Sequence, residues 1–73
     1  MKKIRISNRL KLARVAKGLT QAELAERVGV TRQTIGLIEA GKYNPTLRLC
    51  LLLTRETATS LNDLFWIEGE QDE

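Results

Sequence analysis

Between Leu19 and Glu39 the sequence contains two short helical patterns divided by Gly29, each opened by its own threonine. In the first, the Thr20 hydroxyl can accept the orphan N–H three residues on while Glu23 reaches back to the N-cap amide, the pattern of a capping box. Leu24, Ala25 and Val28 follow at helical spacing, so one face is apolar and the opposite face carries Glu23, Glu26 and Arg27. Gly29 permits the left-handed conformation that ends a helix, and Val30 can fold back as the apolar plug of the turn. Thr31 caps the second helix, in which Ile35 and Ile38 face inward while Arg32, Gln33, Gly36 and Leu37 point elsewhere. Ala25 is small enough to sit where two helices crossing at roughly 90–120° approach most closely.

The pattern is a helix-turn-helix, and the distribution of charge suits it to a polyanion. Residues 1–48 hold eleven Lys and Arg against three acids, a net of +8, whereas residues 49–73 hold one Arg against six acids, a net of −5. A basic region beside an acidic one fits a nucleic-acid partner on one side of the molecule. Solvated helix faces explain such charge equally well when it is considered alone.

A chain of 73 residues forms one domain, 1–73, able to bury about 60% of its unfolded surface and too small for a deep catalytic pocket. There is no His, a single Cys, no glycine-rich phosphate loop, and no Ser or Cys with a candidate base. Nucleophilic catalysis and zinc ligation therefore lack parts, and no enzyme activity, metal, cofactor or small-molecule ligand is expected. Cys50, within the leucine-rich run 47–53, is expected to act as a small core hydrophobe. With no secretory pattern and no apolar stretch near the ~18 residues of a membrane span, a soluble, cytoplasmic protein without a membrane partner is expected.

Along the chain, Lys3 to Ile6 alternates polar and β-branched residues, a strand pattern that needs a partner. Ser7 or Asn8 can cap a first helix reaching about Lys17, with Leu10 and Ala13 on its core face and Gly18 and Leu19 as stop and apolar clasp. The helix opened by Thr31 should end near Ala40, because Gly41 stands at the stop position and Pro45 follows. Thr46 opens a fourth helix to about Thr57, and Ser60 with Asp63 forms a second capping box for a short helix from Leu61 to about Leu64. Phe65, Trp66 and Ile67 are dense in strand formers, and residues 68–73 make an acidic tail expected to fray. The fold class expected is all-α, a five-helix bundle, with a short antiparallel β pair between residues near 3–6 (in an N-terminal arm, 1–6) and 65–68.

Four segments together resemble the lambda-repressor-like family of helix-turn-helix regulators, the group of phage repressors and Cro proteins also called XRE. They are Gly18 to Ala25, Val30 to Ile35, Ile38 to Pro45, and Leu61 to Trp66. The resemblance covers about Asn8 to Ile67, and it is the order and spacing of the segments that make it specific. It implies a bundle whose third helix enters the DNA major groove. By this resemblance Arg32 and Gln33 touch base edges, with chemistry suited to guanine and adenine respectively; Leu37, which departs from the family pattern, can by its own chemistry meet a thymine methyl. Gln21 grips a phosphate beside Thr20 at a helix N-terminus. Thr31 and Thr34 suit phosphate or structural bonds, and Lys42, Tyr43 and Asn44 lie along the DNA backbone, where contacts position without reading sequence. Arg14 and Glu39 match an ion pair between the first and third helices, read here as structural.

Some positions depart from the family pattern. Gly36 and Leu37 stand where relatives commonly carry polar residues; Gly36 answers either to close approach of DNA or to plain tolerance. Leu52 replaces a frequent charge and Thr57 a frequent large apolar residue. The function expected is a sequence-specific transcriptional regulator, a homodimeric repressor on a pseudo-palindromic operator. The alternative is an antitoxin-like or other protein-interaction module of the same fold, for which Leu12, Val15 and Leu52 are the residues to inspect. Leu61, Leu64, Phe65, Trp66 and Ile67 are the expected dimer interface, setting recognition helices about 34 Å apart. The competing reading has Phe65 capping the monomer core and Trp66 on the surface.

Overall fold

The computed structural model describes the backbone of residues 2–72 and the side chains of residues 4–69. Among the described residues the order is β1 (Lys2–Asn8), α1 (Leu10–Ala16), α2 (Gln21–Val28), α3 (Arg32–Glu39), α4 (Leu47–Thr57), α5 (Leu61–Leu64) and β2 (Phe65–Asp72). Leu10, Leu24, Ile35, Ile38, Leu53 and Leu64 are fully buried, one or two from each helix, so the five helices close around a single core.

The helix ends follow the sequence closely. Thr20, Thr31, Thr46 and Ser60 each accept the backbone N–H three residues on, and each has extended backbone, as an N-cap requires. The Thr20–Glu23 capping box is complete in both directions. That of Ser60 is half made, with Asp63 N donating to Ser60 Oγ at 3.3 Å. The first helix differs from expectation. Its N-cap is Arg9, which supplies no side-chain cap. Asn8 does so from one residue further back, its Oδ1 accepting Leu10 N at 3.0 Å while its Nδ2 donates to Ile38 O at 2.9 Å. The α1 cap is thus also a tether to the end of α3.

The turn between α2 and α3 is built as its residues dictate. Gly29 adopts φ +78°, Val30 N donates to Ala25 O at 3.0 Å, and the Val30 side chain packs on the core. Ala25 is 2% exposed at the crossing. The end of α4 has no such glycine: Ala58 takes φ +51°, and Thr59 N closes the turn on Thr54 O at 3.1 Å. Thr57 is buried, and it satisfies its hydroxyl by donating to Leu53 O at 2.7 Å.

The fold is not all-α, because the termini form a two-stranded antiparallel sheet longer than the sequence suggested. Pairing runs from Lys2 opposite Asp72 to Asn8 opposite Phe65, with an irregularity where Arg5 and Ile6 face Gly69 and Ile67, leaving Glu68 as the extra residue. The expected fraying from residue 68 is corrected for residues 68–72, which lie in β2 with its backbone paired to β1 as far as Asp72; Glu73 lies outside the described residues. At the base of this ribbon the Arg9 guanidinium stacks 5.0 Å above the Trp66 ring, and Trp66 Nε1 donates to Glu68 Oε2 at 2.9 Å. Glu68 is held below the ordinary glutamate range, first by that indole N–H and then by Ser7. Cys50 is half-buried rather than a core residue; burial raises its thiol pKa, and it lines a surface groove with Ile6, Leu47 and Leu61.

Candidate nucleic-acid interface

The N-termini of α2 and α3 and the loop after α3 carry the residues expected to meet DNA. Arg32 and Gln33 open α3 and are exposed. Leu37, one turn on, is 38% exposed, whereas Ile35 and Ile38 on the same helix are buried. The division of α3 into a core face and a free face is thus the one its sequence implies. Thr20 is exposed beside the start of α2, and Lys42, Tyr43 and Asn44 form an exposed loop after Gly41.

The threonine hydroxyls have work within the protein. Thr20 Oγ1 accepts Glu23 N at 3.0 Å, and Thr31 Oγ1 accepts Thr34 N at 3.2 Å while lying 3.0 Å from Thr34 Oγ1. A hydroxyl that accepts an amide keeps its own hydrogen for another acceptor. Glu23 sits at this N-terminus with its carboxyl held below the ordinary glutamate range, chiefly by the Thr20 backbone amide and then by the Thr20 side chain.

Beneath this surface lies the expected ion pair. Arg14 Nε donates to Glu39 Oε2 at 2.7 Å and Arg14 Nη1 to Leu19 O at 2.8 Å, with the two side chains 11% and 6% exposed. The pair ties α1, the α1–α2 turn and the end of α3 together. Gln21, expected at a phosphate, has its side-chain amide engaged inside the protein: Nε2 donates to Glu39 Oε1 at 3.1 Å and Oε1 accepts from Arg32 Nη1 at 3.4 Å. Its second Nε2 hydrogen and the helix N-terminus remain for an anion. No local pattern announces this bridge, since its partners lie 18 and 11 residues away. Gly36 faces the same amide; a Cβ there would stand 3.7 Å from Gln21 Nε2, an ordinary contact, so the fold does not require glycine.

Further apolar side chains are exposed on other elements. Leu47, Leu61, Ile67 and Ile6 are 66%, 37%, 58% and 38% exposed and line one groove together with Trp66 and Phe65. Leu64, expected in a dimer interface, is fully buried in the monomer core and has no surface to offer. Phe65 packs partly against that core.

A helix-turn-helix family model matches residues 10–64. The chain belongs to the lambda-repressor-like, or XRE, family of helix-turn-helix regulators. Family membership makes it a DNA-binding transcription regulator and not an enzyme. It is 42% identical over 65 residues to the uncharacterized HTH-type transcriptional regulator YgzD of Bacillus subtilis, covering 89% of this chain and 98% of that protein. An uncharacterized HTH-type transcriptional regulator of Archaeoglobus fulgidus is 44% identical over 63 residues, covering 86% of this chain and 90% of the relative. Among solved structures, the restriction-modification controller protein C.AhdI from Aeromonas hydrophila superposes with a TM-score of 0.69 at 34% identity, over 75% of this chain and 83% of that one. A hypothetical transcription factor from Neisseria, NHTF, gives a TM-score of 0.70 at 25% identity over 81% of this chain and 68% of that one. Among the described residues no helix is long and apolar enough to cross a membrane, and no group of His, Cys, Asp and Glu could hold a metal.

Proposed function

We propose that this regulator is a homodimeric repressor in the cytoplasm that reads a pseudo-palindromic operator, one half-site per subunit. The observation that carries the reading is the free face of α3: Arg32 and Gln33 exposed at its N-terminus while the opposite face is locked in the core. Arg can bind guanine O6 and N7 with two donors, Gln can pair with adenine, and Leu37 offers an apolar contact to a thymine methyl. Thr20, Gln21, Thr31, Thr34, Lys42, Tyr43 and Asn44 surround these residues with donors for phosphates, fixing the register of α3 in the groove. The second copy covers the groove of Leu47, Leu61, Trp66 and Ile67, apolar surface that a two-fold axis can bury against itself. Selection of bound sequences from a random duplex pool at fixed salt tests the reading. Recovery of a two-fold symmetric motif supports it, and recovery of an unsymmetric motif or none contradicts it.

One observation favours a second reading, in which a partner protein is the main ligand. Leu12 and Val15 on α1 are 66% and 57% exposed, in a groove that shares no lining residue with the dimer face. Leu52 is not part of that groove: it packs partly on the core and lines a separate one on α4 with Leu47 and Leu51.

A further inference from the structure

The buried ion pair and the exposed start of α3 are joined by one unbroken polar chain. Arg14 donates to Glu39 through Nε at 2.7 Å to Oε2 and through Nη2 at 3.3 Å to Oε1. Gln21 Nε2 donates to the same Oε1 at 3.1 Å, and Arg32 Nη1 donates to Gln21 Oε1 at 3.4 Å. The order of donors and acceptors is dictated by chemistry. A carboxylate only accepts, so the amide of Gln21 must turn its nitrogen to Glu39 and, with it, its oxygen to Arg32. Glu39 is in turn fixed by the Arg14 guanidinium, which only donates.

We propose that Glu39 is a positioning residue for base recognition: its carboxylate sets the orientation of the Gln21 amide, and the amide oxygen holds the Arg32 guanidinium in place for its base. This rests on the reading of Arg32 as a base contact. Arg loses rotamer freedom when it engages a base edge, so a guanidinium already held gains discrimination at that base. The partners stand at opposite ends of α3, and Glu39 itself is too buried to meet DNA.

The substitution Glu39→Gln separates this role from simple fastening. It replaces one carboxylate oxygen by NH2 at nearly constant shape. Retaining the short bond from Arg14 Nε leaves the remaining oxygen at the Oε2 position and puts the NH2 at Oε1, where it faces Gln21 Nε2 donor to donor. The Gln21 amide then turns over, its own NH2 meets Arg32, and the guanidinium is released. The fold keeps the short Arg14 Nε bond and gives up the longer one from Nη2, while Arg32 loses its acceptor.

Affinities of the wild type, Arg32→Ala, Glu39→Gln, the double variant and Lys42→Ala are to be measured against the selected operator and every single-base change in one half-site. The expected result is that Glu39→Gln loses several-fold to about tenfold of the discrimination at the position that Arg32→Ala flattens. Other positions keep theirs, and the double variant shows no loss beyond that of Arg32→Ala. A uniform weakening over all sequences, an unchanged profile, or additive losses in the double variant would overturn the proposal. If Arg32→Ala flattens no position, the base-reading role fails and the relay fails with it; if Arg32→Ala flattens one and Glu39→Gln does not, the relay alone fails. Should Glu39→Gln not fold, Gln21→Met removes the acceptor while keeping the Arg14–Glu39 pair; its lost phosphate contact weakens all duplexes alike, and the positional loss at the base that Arg32→Ala flattens is expected on top of that.

Discussion

The helix-turn-helix and the terminal ribbon close the same core by different means. Residues 20–39 are shaped by contacts within a few residues of each other: two threonine caps, a left-handed glycine and a small residue at the crossing, secured by the Arg14–Glu39 pair beneath. The ribbon joins residues 2–8 to 65–72 across nearly the whole chain, and depends on backbone ladder bonds, Trp66 against Arg9, and Leu64 anchored in the core. The difference assigns them different tasks. The locally specified unit presents a polar face, whereas the ribbon and α4–α5 leave an apolar groove that, on the proposed function, a second copy covers.

The helix-turn-helix is most vulnerable at the ion pair. Arg14→Ala leaves Glu39 buried without its cation and should cost about 3–5 kcal/mol of stability, read in thermal or denaturant unfolding. A loss below about 1 kcal/mol, the range of exposed pairs, would mean that the caps and apolar core fasten the motif without it. In the apolar groove, Leu61→Glu combined with Trp66→Glu should weaken self-association at least about thirtyfold in sedimentation while leaving the helical content of the monomer intact. A wild type that is monomeric at tens of micromolar, or a double variant that still dimerises, would place the interface elsewhere.

Smaller effects sharpen the contrast. Gly36→Ala fits without a clash and should stabilise the fold by up to about 1 kcal/mol through helix propensity. Its operator affinity then decides between the two reasons for glycine: a loss on the more stable protein shows that DNA approaches the backbone there, and unchanged affinity shows tolerance. Smallest is the acid response of the α2 cap. Because Thr20 holds the Glu23 carboxyl below its ordinary range, the unfolded chain takes up this proton at higher pH than the folded one. The cap's support is therefore present above the ordinary glutamate range and disappears as pH falls through and below it. Melts of wild type and Glu23→Gln should differ at neutral pH and converge in acid; a constant difference across that range would deny the titration.

What could be read from the sequence follows the same division. Every helix from α2 onward starts where a Thr or Ser supplies the cap, because capping is a contact over three residues and sequence spacing displays it directly. The termini were legible as strands but not in their extent: side-chain pattern ends near Ile6 and Ile67, whereas the ladder continues through polar residues on backbone bonds that no side chain announces. Leu64 looked like one more member of an apolar run, and only the packing of α5 separates it from exposed Leu61. At the interface, exposure of Arg32 and Gln33 followed from helical periodicity. The bridge from Glu39 through Gln21 to Arg32 did not, since it joins three elements whose meeting depends on the finished fold.

The proposed division of labour on the polar face, Arg32 reading a base and Lys42 holding a phosphate, is open to a salt-controlled titration of wild type, Arg32→Ala and Lys42→Ala against the operator and its point variants. Arg32→Ala should erase discrimination at one operator position per half-site, a loss of about 1–3 kcal/mol for the preferred base and little for the others. Lys42→Ala should weaken all duplexes alike and reduce the salt slope by about 1. Equal weakening of every duplex by Arg32→Ala, or a positional loss from Lys42→Ala, would contradict the account.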